Sequence, residues 1–195
     1  MSKYLLAIVC NSPMHTRNVT RLLCNFLDVE HRSMQAPLID AIHNFTGIDK
    51  TTIAMDNSPF EILPIVNSTM GNLKNRIQWA LTQNNPAFFV DSFDHWLNNP
   101  EEKKNHDIFK GIAVTDITSD FQADYFRKRK GLVIHLVLEN SPLPHPSKPQ
   151  KPDLVIALKN SEPVESAYIY SYCQRIKNIY KDHLQGSLFN ESEAA

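Results

Sequence analysis

The chain is expected to fold as a three-layer α/β protein, a mainly parallel sheet flanked by helices. Three observations predict this. Tyr4–Cys10 and Leu132–Leu138 are apolar without alternation, as strands are when both faces are covered. Several intervening segments carry apolar residues at helical spacing. Strand and helix signals alternate along the chain, apart from one stretch in the middle.

The elements follow in order. Tyr4–Cys10 is bounded by Asn11-Ser12-Pro13 and reads as a buried strand. An irregular stretch is expected up to Arg17. Val19, Leu22, Leu23, Phe26 and Leu27 then predict a helix over about 18–28. His31–Gln35 suits a short strand. Pro37 suits the first turn of a helix with Leu38, Ala41, Ile42 and Phe45 on one face and Gly47 as its stop. Thr51–Met55 has no clear period, and Pro59 and Pro64 break what surrounds them. Leu73, Ile77, Ala80 and Leu81 predict a helix from Asn72. Asn85 and Pro86 look like the N-cap and first position of the next, with Phe89, Phe93, Trp96 and Leu97 inward. Trp79 and Trp96 are expected in the core. Asn98–Asp107 is polar and reads as a surface loop. Ile108–Thr115 is a second central strand ending at Asp116, and Phe121–Lys130 a helix stopped by Gly131. Leu132–Leu138 is the next strand. Ser141–Pro152 contains five prolines and reads as a lid-like loop. Asp153–Leu158 is a short strand, Val164–His183 a long last helix, and Gly186–Ala195 a frayed end. The domain reading is one unit over 1–186, with a helical insert at about 48–107, the loop 141–152, and a tail at 187–195.

Composition excludes several classes. With 20 basic and 21 acidic residues the net charge is −1, so no global basic field holds nucleic acid by phosphate neutralisation. At 42% hydrophobic and 21% charged the chain is not disordered throughout. The first apolar run is far too short to span a membrane and lacks a cleavage-site pattern, so a cytoplasmic protein is expected. Cys10, Cys24 and Cys173 are three in number with no CxxC spacing, and read as buried thiols. Five glycines against twelve prolines leave little material for a glycine-rich phosphate loop.

In this class of fold, ligands bind beyond the carboxyl ends of the strands. That nominates Asn11–Asn18, Asp116–Asp120 and Ser141–Pro152. The first has the context of the phosphate-binding P-loop, G-x-x-x-x-G-K-[ST], in which glycine amides close around phosphate. Aligned by spacing, Asn11 and Thr16 replace the glycines. Arg17 stands at the lysine and Asn18 at the metal-holding hydroxyl, with Ser12, Pro13, Met14 and His15 between. Pro13 removes one amide donor. Read alone, this is an ordinary strand-to-helix connection.

Several segments in order resemble the phage deoxynucleoside monophosphate kinases and, more distantly, the animal-type phosphomevalonate kinases. These are the strand–loop–helix at 4–28; Met34-Gln-Ala-Pro-Leu-Ile-Asp-Ala-Ile42; Leu73–Leu97 with Asn85-Pro-Ala-Phe-Phe-Val90; Gly111-Ile-Ala-Val-Thr-Asp-Ile-Thr118 with the helix, glycine and strand after it; and Pro152-Asp-Leu-Val-Ile156 with Asn160 and the last helix. The resemblance covers most of the chain as order and spacing. It implies a P-loop nucleoside monophosphate kinase fold. It places the donor-nucleotide site at Asn11, Ser12, His15, Thr16, Arg17 and Asn18, and catalytic roles at Arg17 and Asp116. Against the family pattern, the P-loop lysine falls on Arg17, the metal-holding hydroxyl on Asn18 and the acceptor-side lysine on Ile39. The arginine of Asp–x–Arg falls on Thr118 and the following acid on Gln122. Phosphoryl transfer is positioning plus charge stabilisation, so these replacements together imply a pseudokinase that binds a nucleotide or a protein partner. One alternative is an active kinase in which Arg17 grips the donor phosphates and Asp116 organises Mg²⁺. ATP and Mg²⁺ are cofactors only in that case. The other is an inhibitor of a host enzyme or defence protein, with no nucleotide site. No membrane partner is expected, and a homodimer is left open.

Other residues have plainer uses. Arg127-Lys-Arg-Lys130 reads as solvated cations at a helix C-terminus, or a small anion-contact patch. Asp91 and His95 are i, i+4, which suits a metal less often than an exposed hydrogen bond. Asp116 could instead cap the following helix. His135 reads as a satisfied buried histidine.

Overall fold

A computed structural model describes residues 4–10, 13–55, 62–63, 66–99, 101, 108–139, 146–159 and 165–191, with the backbone alone at 13–16, 55 and 182–191. The chain divides into two compact units, Met1–Arg32 with Lys103–Ala195, and Ser33–Glu102.

The first unit holds a five-stranded sheet. Its strands are β1 (Tyr4–Val9), β2 (Glu30–Ser33), β5 (Gly111–Thr115), β6 (Leu132–Leu138) and β7 (Leu154–Leu158). They lie in the order β2-β5-β1-β6-β7. β1 pairs in parallel with β5 and β6, and β6 with β7. Both strands expected to be central therefore have neighbours on each side. Their lack of alternation has the predicted cause: every residue of β5, and Leu6–Val9 of β1, is buried. On one face Leu6 and Ile8 pack with Val19, Leu23 and Leu27 of helix α1 (Pro13–Leu27) and with Ile169, Cys173 and Ile176 of the last helix (Ser166–Glu191). A helix over Asp120–Lys128 packs on β1 and β6 and buries Ala123 and Phe126.

Helix α1 starts earlier than its apolar period suggests. The stretch expected to be irregular up to Arg17 is helical from Pro13 onward. Proline is preset for a first helical turn, and the polar residues behind it carry no inward period that would reveal the helix. The last helix likewise continues to Glu191, through Gly186.

The described part of the link from β6 to β7 holds no helix. Parallel strands normally need a helical crossover. Here the described part is a strap, 146–153, that follows the Asp120–Lys128 helix. Asp120 at the start of that helix accepts from Ser147 Oγ (2.6 Å) and Lys148 N (3.0 Å). Near its end, Arg127 grips Asp153 through Nε (3.1 Å) and Nη2 (2.6 Å), and Nη2 also reaches the Lys148 carbonyl. Asp153 Oδ2 further accepts from Gln150 N and meets His135 Nε2 at 2.9 Å. The carboxylate is 1% exposed, and Arg127 only 12%. Arg127 is thus not a solvated terminal cation, as its sequence context suggests. His135, fully buried on β6, has the hydrogen-bonded role expected of it. Residues 140–145, the rest of the lid-like loop, lie outside the described residues.

The second unit contains α2 (Ala36–Thr46), α3 (Lys50–Met55), β3 (Ile62–Leu63), β4 (Ser68–Thr69), α4 (Met70–Thr82) and α5 (Phe88–Asn98). The middle of the chain is not helix alone: β3 and β4 form a short antiparallel pair. Gly47 stops α2 in the left-handed region at φ 73°, as expected. Two inward assignments are corrected. Phe45 is 71% exposed, because Leu38, Ile42 and Thr46 form the buried i, i+4, i+8 row. Thr46 is satisfied there by donating to the Ile42 carbonyl and accepting from Ile48 N. Trp79 is 63% exposed, since α4 buries Met70 and Leu73 and Trp79 lies off that stripe. Trp96 is half-buried against Phe93. Asn85 does not cap α5. The cap position is Ala87, and Asn85 forms a turn before it, accepting from Ala87 N at 2.9 Å. Most of the 98–107 loop, and Pro59 and Pro64, lie outside the described residues. For Asp116–Gln122 below, the Asp120–Lys128 helix is α6 and the Ser166–Glu191 helix α7.

Candidate functional site

The strand order holds the kind of reversal beside which ligands collect in doubly wound folds. From β1 the chain leads through α1 to β2 on one side, and from β5 through α6 to β6 on the other. The carboxyl ends of β1 and β5 are adjacent while their connections diverge, which defines a topological switch point. Extending the β1–β5 register beyond Ala7↔Val114 sets Asp116 beside Val9.

Asp116 is exposed and has φ 61°, in the left-handed region that few residues other than glycine, asparagine and aspartate occupy. It follows Thr115, whose side chain is buried. Thr115 Oγ1 donates to Asp116 Oδ2 at 3.3 Å and lies 3.0 Å from His31 Nε2 on the neighbouring strand β2. An imidazole, a hydroxyl and a carboxylate therefore form a chain at the sheet end. Burial around the ring lowers the His31 pKa below its ordinary value, and the Asp116 charge partly opposes it.

The sequence-nominated residues distribute as follows. Asn11 and Ser12 lie outside the described residues. His15 and Thr16 belong to the first turns of α1, where the backbone alone is described. Arg17 and Asn18 are exposed on α1. Only three residues separate Val9 from Pro13, so the third to eighth positions of the P-loop alignment are helical. Asp116 stands at the switch point. Ile39, at the acceptor-lysine position, is half-buried on α2 of the other unit.

Thr118 and Gln122 have another occupation. Gln122 Oε1 accepts from Thr118 N (2.7 Å) and Thr118 Oγ1 (3.1 Å), while Ser119 Oγ accepts from Gln122 N (3.3 Å). This is a variant of the capping box, in which the glutamine reaches back to the residue before the cap, and it closes the start of α6. Ser119 is the cap, so the capping role considered for Asp116 does not hold. Sequence reasoning passed over His31 and Thr115. A lone histidine on a polar strand and a threonine ending an apolar one carry no spacing signal, and only the β2–β5 neighbourhood joins them. Among the described residues no group of three or more His, Cys, Asp or Glu side chains is placed to hold a metal ion.

No protein-family profile matches the chain, and no curated protein matches it. Among solved structures it is similar to one described as a "putative kinase" from Chloroflexus aurantiacus J-10-fl, with 7% sequence identity and a TM-score of 0.46. The match covers 95% of this chain and 97% of that one. The fold class rests on the sheet order and pairing described above. No described helix is long and apolar enough to cross a membrane.

Proposed function

We propose that this protein is a phage-type relative of the deoxynucleoside monophosphate kinases that has kept the fold and lost phosphoryl transfer. It acts by binding a nucleotide, or a protein partner, at the carboxyl end of its sheet. The observation that carries this reading is the start of α1 at Pro13. A P-loop needs a loop of glycine-permitted conformations before its helix, so that consecutive amides point inward at phosphate. Three residues between β1 and α1 leave little length for one. Arg17, which would have to replace the lysine, is exposed on the helix, and a planar guanidinium does not substitute for a compact ammonium in a tight cradle. Thr118 and Gln122, where the family has an arginine and an acid, bond to each other and leave α6 well capped.

Magnitude supports the loss of catalysis. One charge contact in a water-excluded site contributes on the order of 3 kcal/mol to the transition state, about a hundredfold in rate. Replacing several leaves little turnover even if the losses are not additive. Calorimetric titration with ATP and the deoxynucleotides, with and without Mg²⁺, combined with a coupled ADP-release assay, tests the reading. Nucleotide binding without turnover is the expected result. Turnover at roughly 1 s⁻¹, the low end of ordinary kinases, would restore an active enzyme using Arg17 and Asp116. Absence of all nucleotide binding would leave a protein-interaction module.

A further inference from the structure

We propose that Tyr168 guards the open edge of the sheet, keeping β7 from pairing with the β7 of a second copy of this chain. The inference concerns assembly and is independent of whether a nucleotide binds.

β7 ends the sheet order, so among the described residues one of its sides has no strand beside it. The hydrogen bonds tell which groups that side offers. Glu139 N donates to the Leu158 carbonyl at 2.9 Å, so Leu158 turns its backbone toward β6. Successive residues of a strand turn their backbone groups alternately to its two sides. Leu154 and Ile156 therefore also face β6, and Val155 and Ala157 face outward. Side chains alternate as well. Those of Leu154, Ile156 and Leu158 are buried in the core, while Val155 and Ala157 are exposed, Val155 by 43%. The strand carries no charge and no proline from Leu154 to Leu158. Such an edge is a template for another strand, and proteins blunt it with lysine, proline or a covering element.

Here the cover is one side chain. Tyr168, in the first turn of α7, donates from Oη to the outward Ala157 carbonyl at 2.8 Å. Its ring meets Tyr172 edge-on at 5.2 Å, and the two hydroxyls are 3.3 Å apart. A phenol has one hydrogen to give. Tyr168 spends it on Ala157, so Tyr172 is the donor between the two hydroxyls and braces Tyr168 from the next turn of the helix.

The carbonyl so held is one that a second copy needs. Two β7 strands use all their outward groups when they pair antiparallel about Ile156, with Val155 of each opposite Ala157 of the other. Each of those pairs exchanges two bonds, Val155 N–H to the Ala157 carbonyl and Ala157 N–H to the Val155 carbonyl. The side chains brought together are small and apolar, which suits a second copy rather than a charged partner. A register centred on Val155 would need the Asp153 N–H, which already donates to the Gln150 carbonyl at 2.6 Å. In the Ile156 register, Tyr168 holds the acceptor of two of the four bonds.

The test is sedimentation velocity over a concentration series, with amide exchange by NMR, on the full-length protein as wild type, Tyr168→Ser and the double variant Tyr168→Ser, Val155→Lys. Serine removes the phenol from the edge, and lysine sets a charge on it. Tyr168→Ser is expected to associate more strongly than wild type as concentration rises, with circular dichroism unchanged. The Val155 and Ala157 amides, which exchange freely in wild type, are expected to become protected in the associated variant. The added Val155→Lys is expected to return sedimentation to that of wild type. A Tyr168→Ser variant that sediments as wild type at every concentration overturns the proposal. So does association that leaves the Val155 and Ala157 amides unprotected or that Val155→Lys does not relieve, since either marks contact elsewhere or general misfolding. Protection of those two amides in wild type would overturn it as well, because the edge would then already be paired.

Discussion

Tyr180 shows how one hydroxyl completes the sheet. The β1–β6 ladder begins at Leu6↔Leu132, one residue too late to serve Leu5. Tyr180 Oη fills the gap, accepting from Leu5 N at 3.0 Å and donating to Leu5 O at 2.7 Å, while its ring meets Tyr4 edge-on at 4.7 Å. Tyr180→Phe leaves the ring packing and strips two half-buried backbone groups of their partner. It is expected to cost about 1–3 kcal/mol in urea unfolding, with the fold unchanged by circular dichroism. Burial also pushes the Tyr180 pKa up from 10.0 to about 12. The folded state thus holds the proton more tightly than the unfolded chain. This contribution to stability is whole below pH 10 and is lost as pH rises from 10 toward 12, and the phenylalanine variant should lack that alkaline decline. Gly111 is constrained in another way. A Cβ there would strike the backbone of Tyr4, including its carbonyl oxygen, on the central strand. Gly111→Ala should therefore force β1 and β5 apart and lower the urea midpoint far more than a surface glycine substitution. That comparison is readily made with Gly47→Ala, whose Cβ would meet open space and whose cost is left-handed strain alone.

At the scale of elements, the strap over 146–153 is held where a crossover helix would pack against itself and the sheet. Its strength lies in the buried Arg127–Asp153 pair, with Asp124 accepting from Arg127 Nη1. Arg127→Ala leaves a buried carboxylate with His135 and Gln150 N as its remaining partners. A loss of about 3–5 kcal/mol is expected, measured by chemical unfolding. Burial would raise the Asp153 pKa, but the Arg127, Gln150 and His135 hydrogen bonds outweigh it and hold it below 3.8. The associated stability is present above pH 3.8 and lost as pH falls further, so acid should loosen the strap. At the other anchor Asp120 and Lys148 are exposed, while Ser147 is buried. Asp120→Ala should increase amide exchange at Lys148, whose N–H it holds, with little change in global stability, by hydrogen-exchange mass spectrometry. Elements with strong patterns were legible from composition of the run: β1, β6 and the Gly47 stop lie where they were expected. The strap was legible only as a proline-rich loop. Its partners are 18 to 28 residues away, and no local pattern announces an ion pair between a helix and a loop.

For the whole molecule, the central question is whether the carboxyl end of the sheet can transfer phosphate. Thr16→Gly, Arg17→Lys and Asn18→Ser together would restore the residue types of a P-loop. The variant is nevertheless expected to show no turnover with any of the four deoxynucleoside monophosphates in the ADP-release assay. Pro13 still starts the helix early, and Ile39 and Thr118 still supply no cation. Turnover by this variant would mean that the start of α1 unwinds readily once glycine is supplied. The candidate site was partly legible in the same sense. Asp116 was nominated because it ends an apolar strand in an α/β chain, and the sheet order puts it at the switch point. His31 was not nominated, because its partner lies 84 residues away.

By itself the sequence determined the fold class and the order of the main-sheet strands and their flanking helices, though not the β3–β4 pair in the middle of the chain. Unbroken apolar runs can be buried only as inner strands, and the helical periods between them have to cover the sheet. It also shows that no glycine stands at Asn11 or Thr16, the two positions where a glycine-built phosphate cradle would carry one. The tertiary structure decided which polar groups meet. It paired His31 with Thr115 across two strands, Arg127 with Asp153 across a helix and a loop, and Tyr180 with Leu5 across most of the chain. It also decided which helical residues turn outward, leaving Phe45 and Trp79 exposed. Burial patterns are local and repeat at the period of the backbone, so a sequence displays them. A hydrogen bond between distant residues depends on strand order and register, which are set only when the whole sheet assembles.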